Sequence, residues 1–79
     1  MGRSEKTLER VMSGRQDENV DFGDLCRMLA KLNFTCRVKG SHHNFRRAGF
    51  TAVNLQRTGH LAKPYQVRQV RRALEEGGI

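Results

Sequence analysis

The stretch Phe34-Thr35-Cys36-Arg37-Val38-Lys39-Gly40-Ser41-His42-His43-Asn44-Phe45-Arg46 has a period of two with one break in the middle. Phe34, Cys36 and Val38 alternate with Thr35, Arg37 and Lys39, which is the pattern of a half-buried strand with a basic outer face. Gly40-Ser41 reads as a tight hairpin turn, and His42 to Arg46 as the returning strand. Successive side chains on a strand point to opposite faces, so parity separates the two imidazoles. If Phe45 enters the core, His43 lies on its side, and His42, Asn44 and Arg46 face outward with Arg37 and Lys39.

Working outward, Arg47-Ala48-Gly49 makes a second turn and Phe50 to Leu55 a third strand, followed by a polar loop from Gln56 to Ala62. Before the hairpin, Asp21 is a plausible N-cap with Asp24 in the favourable first turn. Phe22, Leu25, Cys26, Leu29 and Leu32 then follow helical spacing. After it, Pro64 suits the first turn of a final helix with Val67, Val70, Ala73 and Leu74 on one face, ended by Gly77-Gly78. At the start, Ser4 to Ser13 can form a short helix capped by Ser4 and stopped by Gly14, with Leu8, Val11 and Met12 as its apolar stripe. Residues 14–20 read as a linker. The expectation is an α+β fold of order α-β-β-β-α over residues 21–79, with two helices on one face of a three-stranded antiparallel sheet. Residues 1–20 precede it as a helical extension.

From Leu25 to Leu74 there are eleven Lys or Arg residues and no Asp or Glu, within a 79-residue chain of net charge +7. A field of one sign over a small surface attracts polyanions, nucleic acid first among them. Without carboxylates to hold Mg²⁺, a metal-dependent nuclease is a poor fit, and any cleavage falls to the imidazoles. His42, outward and next to a glycine turn among cations, is placed to act as general acid or base on a phosphodiester. His43 reads as a semi-buried partner of the core, and His60 as a solvated loop residue. Arg68, Arg71 and Arg72 fall on the outer side of the final helix. Cys26 and Cys36, in apolar contexts and without a secretory leader, read as buried free thiols of a cytoplasmic protein. With the histidines they match no familiar zinc spacing, so no metal or cofactor is expected. No apolar run approaches the ~18–20 residues of a membrane span.

The segment Arg37-Val38-Lys39-Gly40-Ser41-His42-His43-Asn44-Phe45, between an apolar helix and a hairpin with a final helix, resembles the HicA toxin family. Ala62-Lys63-Pro64-Tyr65-Gln66-Val67-Arg68-Gln69-Val70-Arg71 is similar to the entry into the last helix of a HicA subgroup with an N-terminal extension. The resemblance covers about residues 21–79. It implies a fold like that of a double-stranded-RNA-binding domain, mRNA cleavage without a metal, and neutralisation by a HicB-type antitoxin. The family's catalytic histidine, the first after Gly-Ser, lands on His42, the residue that parity selects. Many members carry a His-Pro pair after the third strand; here His60 and Pro64 are separated, and no role passes to His60.

The expected chemistry is that of a metal-independent endoribonuclease toxin. His42 would take the proton of a ribose 2′-hydroxyl as that oxygen attacks phosphorus, and Arg37, Lys39 or Arg46 would stabilise the developing charge. His43, a lysine or water would protonate the leaving oxygen. Ser41, His43, Arg68, Arg71 and Arg72 join Arg37, Lys39 and Arg46 as expected RNA contacts. The alternatives are a non-catalytic RNA-binding module of the same fold or degenerate toxin, and a DNA-binding domain that uses the last helix.

Overall fold

In the computed structural model, which describes residues 2–79, the element order is α1 (Arg3–Ser13), a 3₁₀ turn (Asp17–Asn19), α2 (Phe22–Lys31), β1 (Thr35–Lys39), β2 (His42–Arg46), β3 (Val53–Gln56) and α3 (Pro64–Glu76). The strands form one antiparallel sheet in the order β1-β2-β3. From α2 onward this is the α-β-β-β-α topology of a double-stranded-RNA-binding domain.

Helix α2 begins where the sequence signals it. Asp21 is its N-cap, accepting the Asp24 N–H at 2.9 Å and so satisfying one of the free amides of the first turn. Its end has no glycine to close it. Asn33 takes a left-handed φ of 67°, one of the few conformations of that kind that asparagine tolerates well. The Asn33 N–H then donates to Ala30 C=O and the Phe34 N–H to Leu29 C=O, both at 3.0 Å. This paired closure turns the chain sharply and buries Phe34 as β1 starts.

The hairpin pairs without a bulge, from Thr35 opposite Arg46 to Lys39 opposite His42. Gly40, with φ of 62°, occupies the first turn position, where a side chain would be strained. The third strand starts later than its apolar pattern implies. After Gly49, the Phe50 N–H donates back to Arg47 C=O and the Phe50 ring packs edge-on against Phe34 at 5.2 Å. Arg47 lies over that ring and donates to Leu32 C=O at 2.9 Å, so the turn is fastened to the end of α2 rather than to the sheet.

Phe22, Leu25, Met28 and Leu29 of α2, Phe45 of β2, Val53 and Leu55 of β3, and Val67, Val70 and Leu74 of α3 form one buried core. Val11 of α1 and Val20 belong to it as well, and Leu8 and Met12 pack against it. The helix of the N-terminal segment starts one residue before the expected Ser4 cap, with Gly2 in the cap position. A second strap crosses the molecule near Asp21. Ala62 N–H donates to Val20 C=O and Phe22 N–H to His60 C=O, both at 2.8 Å, so the loop before α3 is stitched to the start of α2 through its backbone.

Candidate nucleic-acid interface

The sheet's two faces are built by alternation. Phe45, Val53 and Leu55 are buried against the helices, and His43 lies on the same side, its ring edge-on to Phe22 at 5.1 Å. Arg57 lies over the same Phe22 ring, 5.2 Å from its centroid. His43 is therefore half-buried and supports the core, on the far side of the sheet from His42.

The opposite face carries Thr35, Arg37 and Lys39 of β1, His42, Asn44 and Arg46 of β2, and Asn54 and Gln56 of β3. Apart from half-buried Asn44, all are exposed. No helix covers them, and every one is polar or cationic. Lys39 and Gln56 flank His42 on the two neighbouring strands, at the ~4.5–5.5 Å Cβ separation of directly opposed residues. Further along the same face, Thr35, Arg37, Asn44 and Arg46 line a depression of about 370 Å³. Two guanidinium groups and an amide around one hollow are donors that recognise phosphate oxygens, while the Thr35 hydroxyl donates to Arg46 C=O at 3.2 Å. Asn54, Gln56 and Thr35 were not singled out from the sequence, although the spacing of Val53 and Leu55 places Asn54 and Gln56 outward once β3 is located.

Among the described residues no side chain hydrogen-bonds the His42 imidazole, and no group of three His, Cys, Asp or Glu side chains comes together as metal ligands. His42 thus stands without the carboxylate that commonly orients a histidine base. Ser41 is exposed at the turn, with its C=O accepting the Arg57 N–H at 3.0 Å, which ties the turn to the end of β3.

The basic residues of α3 divide. Arg68 and Arg72 are exposed and, with Tyr65 and Gln69, line a depression of about 350 Å³ on the side away from the core. Arg71 is not with them. Its guanidinium pairs with both carboxylate oxygens of Asp17, at 2.8 and 3.2 Å, and donates to Val11 C=O at 2.9 Å. That arrangement clamps α1 and the 3₁₀ turn onto α3. The Arg71 hydrogen bonds hold the Asp17 carboxyl below its ordinary value. Arg68 borders a hollow shared with Asp17 and Glu18, and α3 ends in Glu75 and Glu76. The helix surface is therefore of mixed sign, whereas the Lys and Arg residues of the sheet face have no acid among them.

The two thiols are also unlike one another. Cys26, half-buried beside the core, has its pKa pushed up to about 11 by burial, with the nearby Cys36 adding to the rise. Cys36 is exposed, not buried, as is every residue of β1. Val38 is exposed with it, so β1 presents exposed side chains on both faces rather than being half-buried. No helix of the described chain is long and apolar enough to cross a membrane.

No protein-family profile matches this chain, and neither the curated proteins nor the solved structures contain a match to it.

Proposed function

We propose that this chain is an RNA-binding module that holds the sugar-phosphate backbone against the outer face of its sheet. The observation that carries this reading is the register, which gathers Arg37, Lys39 and Arg46 with Asn44, Thr35, Asn54 and Gln56 on one uncovered, acid-free face. Such a face neutralises phosphates and releases counterions, so binding is salt-dependent. It offers no groove-reading helix and, beside the His42 ring, no exposed aromatic for base stacking, so it favours the backbone over sequence. The test is binding of a fluorescent RNA oligonucleotide to the parent and to an Arg37→Gln/Arg46→Gln variant. Loss in the variant supports the reading, and equal binding refutes it.

A second, more specific reading is favoured by the exposure of His42 on that same face between Lys39 and Gln56. Here the protein is an mRNA-cleaving toxin of a toxin–antitoxin pair, as its resemblance to HicA implies. His42, as general base, removes the 2′-hydroxyl proton, the 2′-oxygen forms a bond to phosphorus, and the bond to the 5′-oxygen breaks. The products are a 2′,3′-cyclic phosphate and a 5′-hydroxyl. Arg37, Lys39 or Arg46 stabilises the charge on the phosphoryl oxygens, and Lys39 or water returns a proton to the leaving oxygen. His43, across the sheet, has no part in it.

A HicB-type antitoxin would then mask His42. Cleavage in excess chelator that disappears in His42→Ala, with folded protein and intact binding, supports the enzyme. Binding without cleavage in both proteins leaves the RNA-binding module. A 3′-hydroxyl product would refute this chemistry.

A further inference from the structure

The free edge of β1 has its own chemistry. Ser41 C=O faces β3, since it accepts the Arg57 N–H. By alternation, the backbone groups of His43 and Phe45 also face β3, and those of His42, Asn44 and Arg46 face β1. Their partners Lys39, Arg37 and Thr35 are therefore the residues of β1 that bond to β2. Cys36 and Val38 aim their N–H and C=O groups away from the sheet. Five consecutive pairs run without a bulge or proline, so this edge is straight and can accept another strand.

The side chains state what such a strand must look like. On the inner side, Val38 is 60% exposed, and Cys36 is exposed even though Cys26 of α2 lies near it. On the outer side stand Arg37 and Lys39, with no acid on the face. A second copy of this chain is a poor occupant. Two β1 strands paired antiparallel about their centres would set Arg37 against Arg37 and leave the cations uncompensated. A segment that alternates apolar and acidic residues satisfies all three features: free backbone groups, uncovered Val38 and Cys36, and unpaired Arg37 and Lys39.

We infer that the β1 edge is a docking site for an extended protein segment of alternating acidic and apolar residues, added as a fourth strand beside β1. Its carboxylates lie on the outer face next to Arg37 and Lys39, where RNA phosphates would otherwise sit. Docking therefore displaces RNA. This last step rests on the RNA-binding reading, whereas strand addition does not.

The test uses the full chain and a peptide containing Glu-Val-Glu-Val-Glu, with a same-composition peptide that segregates Glu from Val as control. Amide hydrogen exchange is followed residue by residue. At ten times its Kd the peptide leaves about a tenth of the edge free, so the Cys36 and Val38 amides slow about tenfold. Val38→Pro removes one edge donor without touching the bonds to β2 and abolishes the protection. Val38→Asp, which keeps the backbone intact, weakens it by placing like charge at the edge.

Unchanged exchange at Cys36 and Val38, protection confined to α3, or equal protection by the segregated peptide overturns the docking site. Edge protection that rises with protein concentration alone means a second copy takes the edge and also overturns it. RNA displacement is read separately by fluorescence anisotropy. Protection with RNA still bound overturns the competition. Protection by a chain that binds no RNA supports strand addition and refutes the RNA-binding reading.

Discussion

Neutralising Arg37 and Arg46 together should change how RNA binding responds to salt, by an amount the geometry sets. For a single strand, log K falls with log salt at about −0.7 per phosphate neutralised. Arg37, Lys39 and Arg46 are the three Lys or Arg residues on the outer sheet face. If they make the contacts, the slope is about −2, and affinity falls roughly twentyfold between 50 and 200 mM salt. If exposed Arg68 and Arg72 acted in addition, five contacts would give a slope near −3.5 and a loss of about a hundredfold. Arg37→Gln/Arg46→Gln leaves Lys39 alone, with a slope near −0.7 and a loss of only about threefold. Arg68→Gln/Arg72→Gln leaves the slope near −2. Anisotropy titrations of a labelled single-stranded RNA at four salt concentrations separate these cases. A slope unmoved by the sheet-face pair, or moved equally by the helix pair, refutes the assignment of binding to the sheet.

The other expectations concern packing and titration. Asp17→Asn removes an acid whose pKa is lowered in the fold, so the stabilisation it supplies is complete above its ordinary value of 3.8 and fades as pH falls through the lower native value. Urea unfolding followed by circular dichroism should show the variant less stable at pH 6, with the gap closing in strong acid; a constant gap would contradict the Arg71 pairing. Gly77→Ala directs a methyl into the Phe50 ring behind α3, and overpacking of this kind costs about 1–3 kcal/mol. An unchanged urea midpoint would show that the Phe50 turn does not pack there. Of the two thiols, Cys36 should react with iodoacetamide at pH 8 while Cys26, half-buried and with a pKa near 11, stays intact. Mass spectrometry of the first adduct decides, and modification of Cys26 first would contradict the packing.

The hairpin was legible because its information is local. Alternation from Phe34 to Phe45 and one glycine turn are enough to put His42 outside and His43 inside. Asp21 was legible for the same reason, since a cap is a relation between residues three apart. The departures are tertiary. Cys36 and Val38 have the pattern of buried residues, but how far they are covered is set by how α2 and α3 pack, which no strand periodicity contains. Phe50 looked like a strand residue by propensity, yet the turn at Gly49 and the Phe34 ring claim it. Arg71 looked like its neighbours Arg68 and Arg72 until the fold brought Asp17, 54 residues away, against it. Asn33 is a local signal as well, since an asparagine after an apolar helix is a fitting left-handed terminator.

The central claim is that the acid-free outer face of the sheet receives the RNA. Its most direct measurement is a two-dimensional amide and side-chain NMR titration of the whole chain with a short single-stranded RNA. Binding at that face shifts the signals of Arg37, Lys39, His42, Asn44, Arg46 and Gln56 and leaves Arg68, Gln69 and Arg72 unmoved. Shifts confined to α3, or spread evenly over the surface, would contradict it.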